Sequence, residues 1–202
     1  MLAAVGAVVL GYIGYLGWRV SAERTSVESK VDAIIARADP HELAMPARWV
    51  EILLRVEDPT FRTNKGIDLR TPGGGMTTLS QGLGKLIFFD DFEPGFAKGE
   101  LMALTRFALY PKVDKQRTLQ AIIASAYFGM HRGRPVIGFA DGARTWFGKS
   151  LPQLSDREFV ELEAMLVAPD QLKPTPAGRN GRGGSNGCLP GAASQAACAT
   201  LC

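Results

Sequence analysis

Cysteine is almost missing from this chain of 202 residues, and the three present, Cys188, Cys198 and Cys202, all fall near its C-terminal end. The body of the protein therefore depends on no redox compartment. The spacing of the three matches no zinc pattern, and their odd number leaves at least one thiol without an internal partner. A dominant charge of one sign is also missing. With 23 basic and 20 acidic residues the net charge is +3, which is no nucleic-acid footprint, although it suits work beside an anionic membrane surface. Alternation of apolar and polar residues is scarce. The strand signal is limited to short pieces around Leu79 and Val136, so the expected fold class is mainly α.

What is present begins with residues 1–18, an apolar run free of charge that ends at Arg19. At about 1.5 Å per residue such a helix covers roughly 27 Å, just enough for the hydrocarbon core of a bilayer. Tyr12, Tyr15 and Trp18 suit the membrane interface, and Gly6, Gly11, Gly14 and Gly17 give small-residue spacing for helix contacts. A cleaved signal peptide is the competing reading, without a basic leading segment or a clear A-x-A site in its favour. Arg19, Arg24 and Lys30 follow the span, an order that by charge alone would hold that side in the cytoplasm. Large domains, however, translocate largely regardless of charge. The expected organisation is a transmembrane anchor at 1–20, a juxtamembrane helix or linker at 21–44, a folded domain at 45–174 and a disordered tail at 175–202 rich in Gly, Ser and Ala.

Helical periodicity recurs within the folded region. Arg48 to Val56 carries Val50, Leu53 and Leu54 and places Glu57 and Asp58 at a helix end before Pro59. Phe88 to Glu100 reads as a polar, aromatic loop, with a helix beginning near Glu100 and ending before Pro111. Leu119, Ile122, Ile123 and Ala126 share one helical face. His131 to Gly138 reads as a basic loop, and Ser155 with Glu158 forms a capping box ahead of Phe159, Leu162 and Leu166.

The richest chemistry lies between Glu57 and Lys85. An acidic pair and an aromatic are followed by a glycine run, which opens into a hydroxyl-rich segment ending in lysine. Glycines allow close backbone approach to a ligand, Thr77, Thr78 and Ser80 add donors, and Lys85 adds a point charge suited to phosphate. The plain alternative is a solvated acidic pair beside a flexible loop, and the spacing fits neither the phosphate-loop nor the dinucleotide fingerprint.

Glu57-Asp58-Pro59-Thr60-Phe61-Arg62-Thr63-Asn64-Lys65-Gly66 is similar to E-D-x-x-F-x-x-H-x-G, with asparagine in place of histidine. Gly75 to Leu86 resembles G-G-S-T-I-T-Q-Q-L-x-K-N, and Ala143 to Ser150 is close to A-A-x-x-Y-F-G-K-S. In this order, over about residues 45–170, the motifs resemble those of glycosyltransferase family 51, the peptidoglycan transglycosylase module of penicillin-binding proteins and monofunctional transglycosylases. The resemblance implies a lysozyme-like helical transglycosylase domain with an N-terminal transmembrane helix. It also implies a single-pass location in the bacterial inner membrane with the domain on the periplasmic or outer side. The implied activity is polymerisation of lipid II into glycan strands with release of undecaprenyl pyrophosphate. By matching position, Glu57 is the expected general base. Glu100 is the second catalytic glutamate, near the pyrophosphate and a divalent metal, Mg or Mn. Asp58, Phe61, Thr78, Ser80, Gln81, Lys85 and Lys115 are the expected substrate-binding residues, with Arg106 a further cation for phosphate. Expected partners are lipid II, the nascent strand, the membrane and cell-wall synthesis or division proteins. Without the resemblance, Glu100 reads as a carboxylate stabilising a helix N-terminus, and Arg144 and Lys149 as a solvated turn.

The chain departs from the family pattern in several polar positions. Phe96-Ala97-Lys98-Gly99-Glu100 stands where the family has R-K-x-x-E, Gly82 and Leu86 replace a glutamine and an asparagine, and the Lys115 to Ala124 segment lacks the expected glutamate and asparagine. Two rival readings follow: a non-catalytic relative that binds lipid-linked precursor or a synthesis partner, and a glycan-cleaving hydrolase. No acyl-serine transpeptidase is expected, since there is no S-x-x-K motif. Phe92 and Phe96, flanked by charges and glycines, are expected to form a membrane-dipping lip, while Phe88 and Phe89 are equally suited to the core.

Overall fold

The computed structural model describes residues 2–41, 43–69, 78–172 and 174. They fold into helices and one short hairpin, in agreement with the mainly helical expectation, and the chain divides into two compact units. One comprises residues 1–36 and 60–121, the other residues 37–59 and 122 onward. The glycine run, Thr77 and the C-terminal cysteines lie outside the described residues.

The first unit is built on α1, a single helix Leu2–Ile35. Its N-terminal part leaves Val5, Val8, Val9, Leu10, Ile13 and Trp18 exposed, whereas Val27 and Val31 are fully buried. Among the described residues it is the one helix long and apolar enough to cross a membrane. Against α1 pack α3 (Leu79–Phe88), α4 (Phe96–Leu104) and a π-helical segment, Thr105–Leu109, that continues α4. Ion pairs join α1 to the start of α5 (Lys115–Ser125): Arg117 meets Asp32 and Glu28.

Two sequence expectations change here. The apolar piece around Leu79 is helix rather than strand, because Thr78 and Gln81 form a capping box that starts α3 on the spot. The helix expected to begin near Glu100 begins at Phe96, after Gly95 takes a φ of 134° that side-chain-bearing residues rarely adopt. Glu100 therefore sits one turn inside the helix, and the reading of it as a helix-start carboxylate does not hold.

Gly84 is where α3 meets the α4–π continuation. A Cβ there would lie 2.8 Å from the Thr105 hydroxyl oxygen and 3.0 Å from a Leu101 methyl. Gly84→Ala would gain about 1 kcal/mol in helix propensity but forces this contact apart, at a cost of roughly 1–3 kcal/mol. Net destabilisation is expected, read as a lower urea midpoint for the variant in detergent. A midpoint equal to or above that of the wild type would rule out the close approach.

The second unit packs α2 (Ala47–Glu57) and α6 (Phe139–Phe147) against α7 (Asp156–Ala164). Trp49 is its centre: fully buried, it stacks on Phe159 with centroids 4.9 Å apart, and its indole N–H donates to Asp156 at 3.1 Å. Phe159 continues through Phe139 to Phe128. The capping box of Ser155 and Glu158 starts α7 as expected. The basic loop expected at His131–Gly138 is instead largely a hairpin, β1 (Tyr127–His131) and β2 (Arg134–Ile137), antiparallel. Arg132 and Gly133, with φ of 50° and 78°, make its two-residue turn. The expected strand around Val136 falls in β2.

Candidate functional site

In the second unit, α2 ends on Glu57, and the next residue, Asp58, closes the helix with its N–H donating to the Leu54 carbonyl at 3.1 Å. Asp58 is buried. Burial of Glu57 raises its proton affinity above the ordinary carboxylate range. The position adds to this, because the C-terminal end of a helix is its negative end and opposes an anion. The elements that place Glu57 are the packed Trp49, Leu53 and Leu54 on the same helix.

A second carboxyl belongs to this unit and was missed from sequence. Glu163, in the last turn of α7, is 1% exposed and neither of its oxygens has a hydrogen-bond partner among the described residues. Burial, reinforced by the charge of Glu57, pushes its pKa up to about 8. The signal was in the sequence, since Glu163 stands four residues after Phe159 and so falls on the apolar face of α7.

The first unit holds the cations and most of the proposed contacts. Phe61 is buried beneath Lys115, whose Nζ lies 4.5 Å from its ring centroid and 5.6 Å from that of Tyr110. The same Nζ donates to Asn64 Oδ1 at 2.9 Å, and Asn64 Oδ1 also accepts from the Gly66 N–H at 3.0 Å. Asn64, in the position where the family motif carries histidine, is thus an anchor for the lysine. Arg106 lies over Tyr110 at 5.5 Å. Tyr110 was not anticipated; it is the ring that joins the two cations. Gly66, with φ 87°, passes within 3.1 Å of Thr105 at the position of a Cβ, so the tight turn excludes a side chain.

Thr78 and Gln81 are both buried and hold the start of α3. Thr78 Oγ1 donates to the Gly66 carbonyl at 2.7 Å, and Gln81 Oε1 accepts from the Thr78 N–H at 2.9 Å. Ser80 is buried beside them. Lys85, near the end of α3, places its Nζ 5.0 Å from the Phe92 ring. Of the four phenylalanines in the following segment, Phe88 is buried, Phe89 and Phe92 meet edge to face at 5.3 Å, and Phe96 is 88% exposed with its ring edge-on to Tyr12.

Glu100 is engaged from α1. Arg19 Nε donates to its carboxylate at 2.6 Å and the Tyr15 hydroxyl at 3.2 Å. Among the described residues no group of three or more His, Cys, Asp or Glu side chains gathers to hold a metal ion. Arg19 also pairs with Glu23 at 3.3 Å, so Glu100 is engaged by a guanidinium that two carboxylates share, and no chemistry is routed through a metal.

The family described as Transglycosylase matches residues 33–186. Penicillin-binding protein 1A of Streptococcus oralis is similar at 30% identity over 145 residues, 64% of this chain and 22% of that protein. A Cupriavidus necator protein named as a transglycosylase is similar at 27% identity over 193 residues, 90% of this chain and 81% of that protein. The chain thus spans less than a quarter of the streptococcal relative's length and most of the other's.

Proposed function

The chain belongs to the transglycosylase family, whose domain is a lysozyme-like helical fold, and from that premise we propose that it is a membrane-anchored peptidoglycan glycosyltransferase acting on lipid II. The observation that carries the reading is Glu57, a carboxyl whose burial raises its proton affinity, within a match to the family's first motif. In the proposed reaction the acceptor sugar's 4-hydroxyl loses its proton to Glu57, the hydroxyl oxygen forms a bond to the anomeric carbon, and that carbon's bond to the undecaprenyl pyrophosphate oxygen breaks. The leaving group departs with the electron pair as an anion. A base with raised proton affinity takes a hydroxyl proton more readily than an exposed carboxylate does. Lys115, Arg106 and Lys85 are the cations of this chain suited to the pyrophosphate, Lys115 being held over Phe61 and Tyr110 rather than left to swing in solvent.

We assign α1 as the anchor, in a single pass of the bacterial inner membrane with the folded units on the periplasmic side. A substrate on a long polyprenyl chain is costly to draw out of the bilayer, at about 0.8 kcal/mol per CH₂. The enzyme therefore works at the surface, and exposed Phe96 beside Tyr12 supports a lip that dips into it. A C-terminal reporter active only in the cytoplasm would overturn the orientation. The whole reading is tested with labelled lipid II and the full chain in detergent: lysozyme-sensitive polymer is expected. Intact monomer alone would favour the second reading, a non-catalytic binder of lipid-linked precursor or of cell-wall synthesis or division proteins. The observation on the side of that reading is the Arg19–Glu100 ion pair, which engages one of the two glutamates expected to be catalytic.

A further inference from the structure

Glu163 has no place in the reaction so far. A buried carboxyl without a hydrogen-bond partner is costly to keep, and this one could be replaced by leucine if packing were its only task. Its neighbourhood gives it another. The helix that carries it packs against α2, which ends on Glu57, and against α6. The other charged groups of these helices are engaged elsewhere or exert no resolved effect on it. Arg48 reaches Asp156, Asp141 is held by Arg134, Arg157 pairs with Glu161, and Lys149 pairs with Glu158. Glu51 and Arg55 lie on α2 and Arg144 on α6, and Asp58 is buried one residue beyond Glu57. Among the described residues Glu57 is the charge that acts on Glu163.

We propose that Glu163 sets the charge of the site at Glu57: buried without a hydrogen-bond partner, on the helix packed against the one that ends on Glu57, it is a neutral companion to the base, and its ionisation closes the site to an anionic substrate. This rests on the reading of Glu57 as general base. Two like charges in one buried site do not ionise together. With Glu163 neutral, its charge is not added to that of Glu57 when the anionic pyrophosphate substrate arrives. Once Glu163 ionises, its charge adds to that of Glu57 and binding of the anionic substrate weakens. Glu163 thereby sets the alkaline limb of the pH profile and Glu57 the acid limb.

The test uses the full chain in detergent with carboxyl-¹³C glutamate, together with kcat and KM for lipid II from pH 5 to 10. In the wild type the resonance that disappears in Glu163→Gln is expected to titrate near 8 and to move lower in Glu57→Gln. Above that pH the wild type should lose kcat/KM about tenfold per unit, through KM, as a single ionisation requires. Glu163→Gln and Glu163→Leu, both permanently neutral, should lose the alkaline limb. A purely structural Glu163 would leave that limb in place. A chain that polymerises lipid II while the Glu163 resonance titrates in the ordinary carboxylate range, or while the alkaline limb survives in both variants, overturns the role of Glu163 alone. A chain that makes no polymer at any pH overturns the glycosyltransferase reading, and the proposed role of Glu163 with it, whatever the resonance does.

Discussion

Glu57→Gln is expected to lower the rate of lipid II polymerisation by at least about a hundredfold, the lower range for loss of a general base, with the melting temperature unchanged or slightly raised. The amide keeps the shape of the side chain but takes no proton from the acceptor hydroxyl. Stability should not suffer, because the residue removed is a carboxyl whose charged form burial opposes. That combination separates a chemical role from a structural one. A variant that polymerises as fast as the wild type would remove Glu57 from the reaction, and one that is slow only because it unfolds would show a lowered melting temperature.

The second large effect concerns stability and pH. Glu163 is protonated in the folded protein up to about pH 8, against an ordinary value of 4.5. Below about pH 4.5 both folded and unfolded chains hold the proton and burial is not penalised. Between 4.5 and 8 only the folded chain holds it, so stability falls steadily as pH rises, and above 8 the loss is complete. At about 1.4 kcal/mol per unit, over the interval from 4.5 to about 8, the total is on the order of 5 kcal/mol. Glu163→Gln, neutral throughout, escapes this loss. It should match the wild type near pH 4.5 and exceed its melting temperature by roughly 10 °C at pH 8.5, as measured by thermal scans of both proteins in the same detergent. Comparison with the variant matters because Asp141 and Glu158, whose proton affinities are lowered by Arg134 and by Lys149 with Ser155, act in the opposite direction. Their contribution is present at neutral pH and disappears as the solution is acidified. Equal melting temperatures at pH 8.5 would mean that Glu163 is solvated or paired in solution.

Helices were legible where one local rule sufficed. The periodicity of Leu53 and Leu54 and the Ser155–Glu158 box correspond to α2 and α7. The hairpin was not, because its signal is a pair of positive φ angles at Arg132 and Gly133, and arginine is an unusual residue for such a turn. The start of α4 was misplaced because Gly95, rather than a polar cap, begins it. Long-range partners were out of reach: nothing in residues 96–100 announces that Arg19 and Tyr15, more than eighty positions earlier, engage Glu100. Thr78 and Gln81 look like ligand donors in a hydroxyl-rich stretch, yet their side chains bond to the backbone around α3. Glu163 was overlooked for the opposite reason. A lone glutamate in a helix is ordinarily a solvated residue, and its place on the apolar face of α7, four residues after Phe159, outweighs that expectation.

The central claim is glycosyl transfer from a polyprenyl pyrophosphate, and its most direct test is the leaving group. Full-length protein in proteoliposomes containing lipid II is sampled over time for free undecaprenyl pyrophosphate. The prediction is one molecule released for each new glycosidic bond in lysozyme-sensitive polymer, with release abolished in Glu57→Gln. Undiminished lipid II with no undecaprenyl pyrophosphate formed would contradict it.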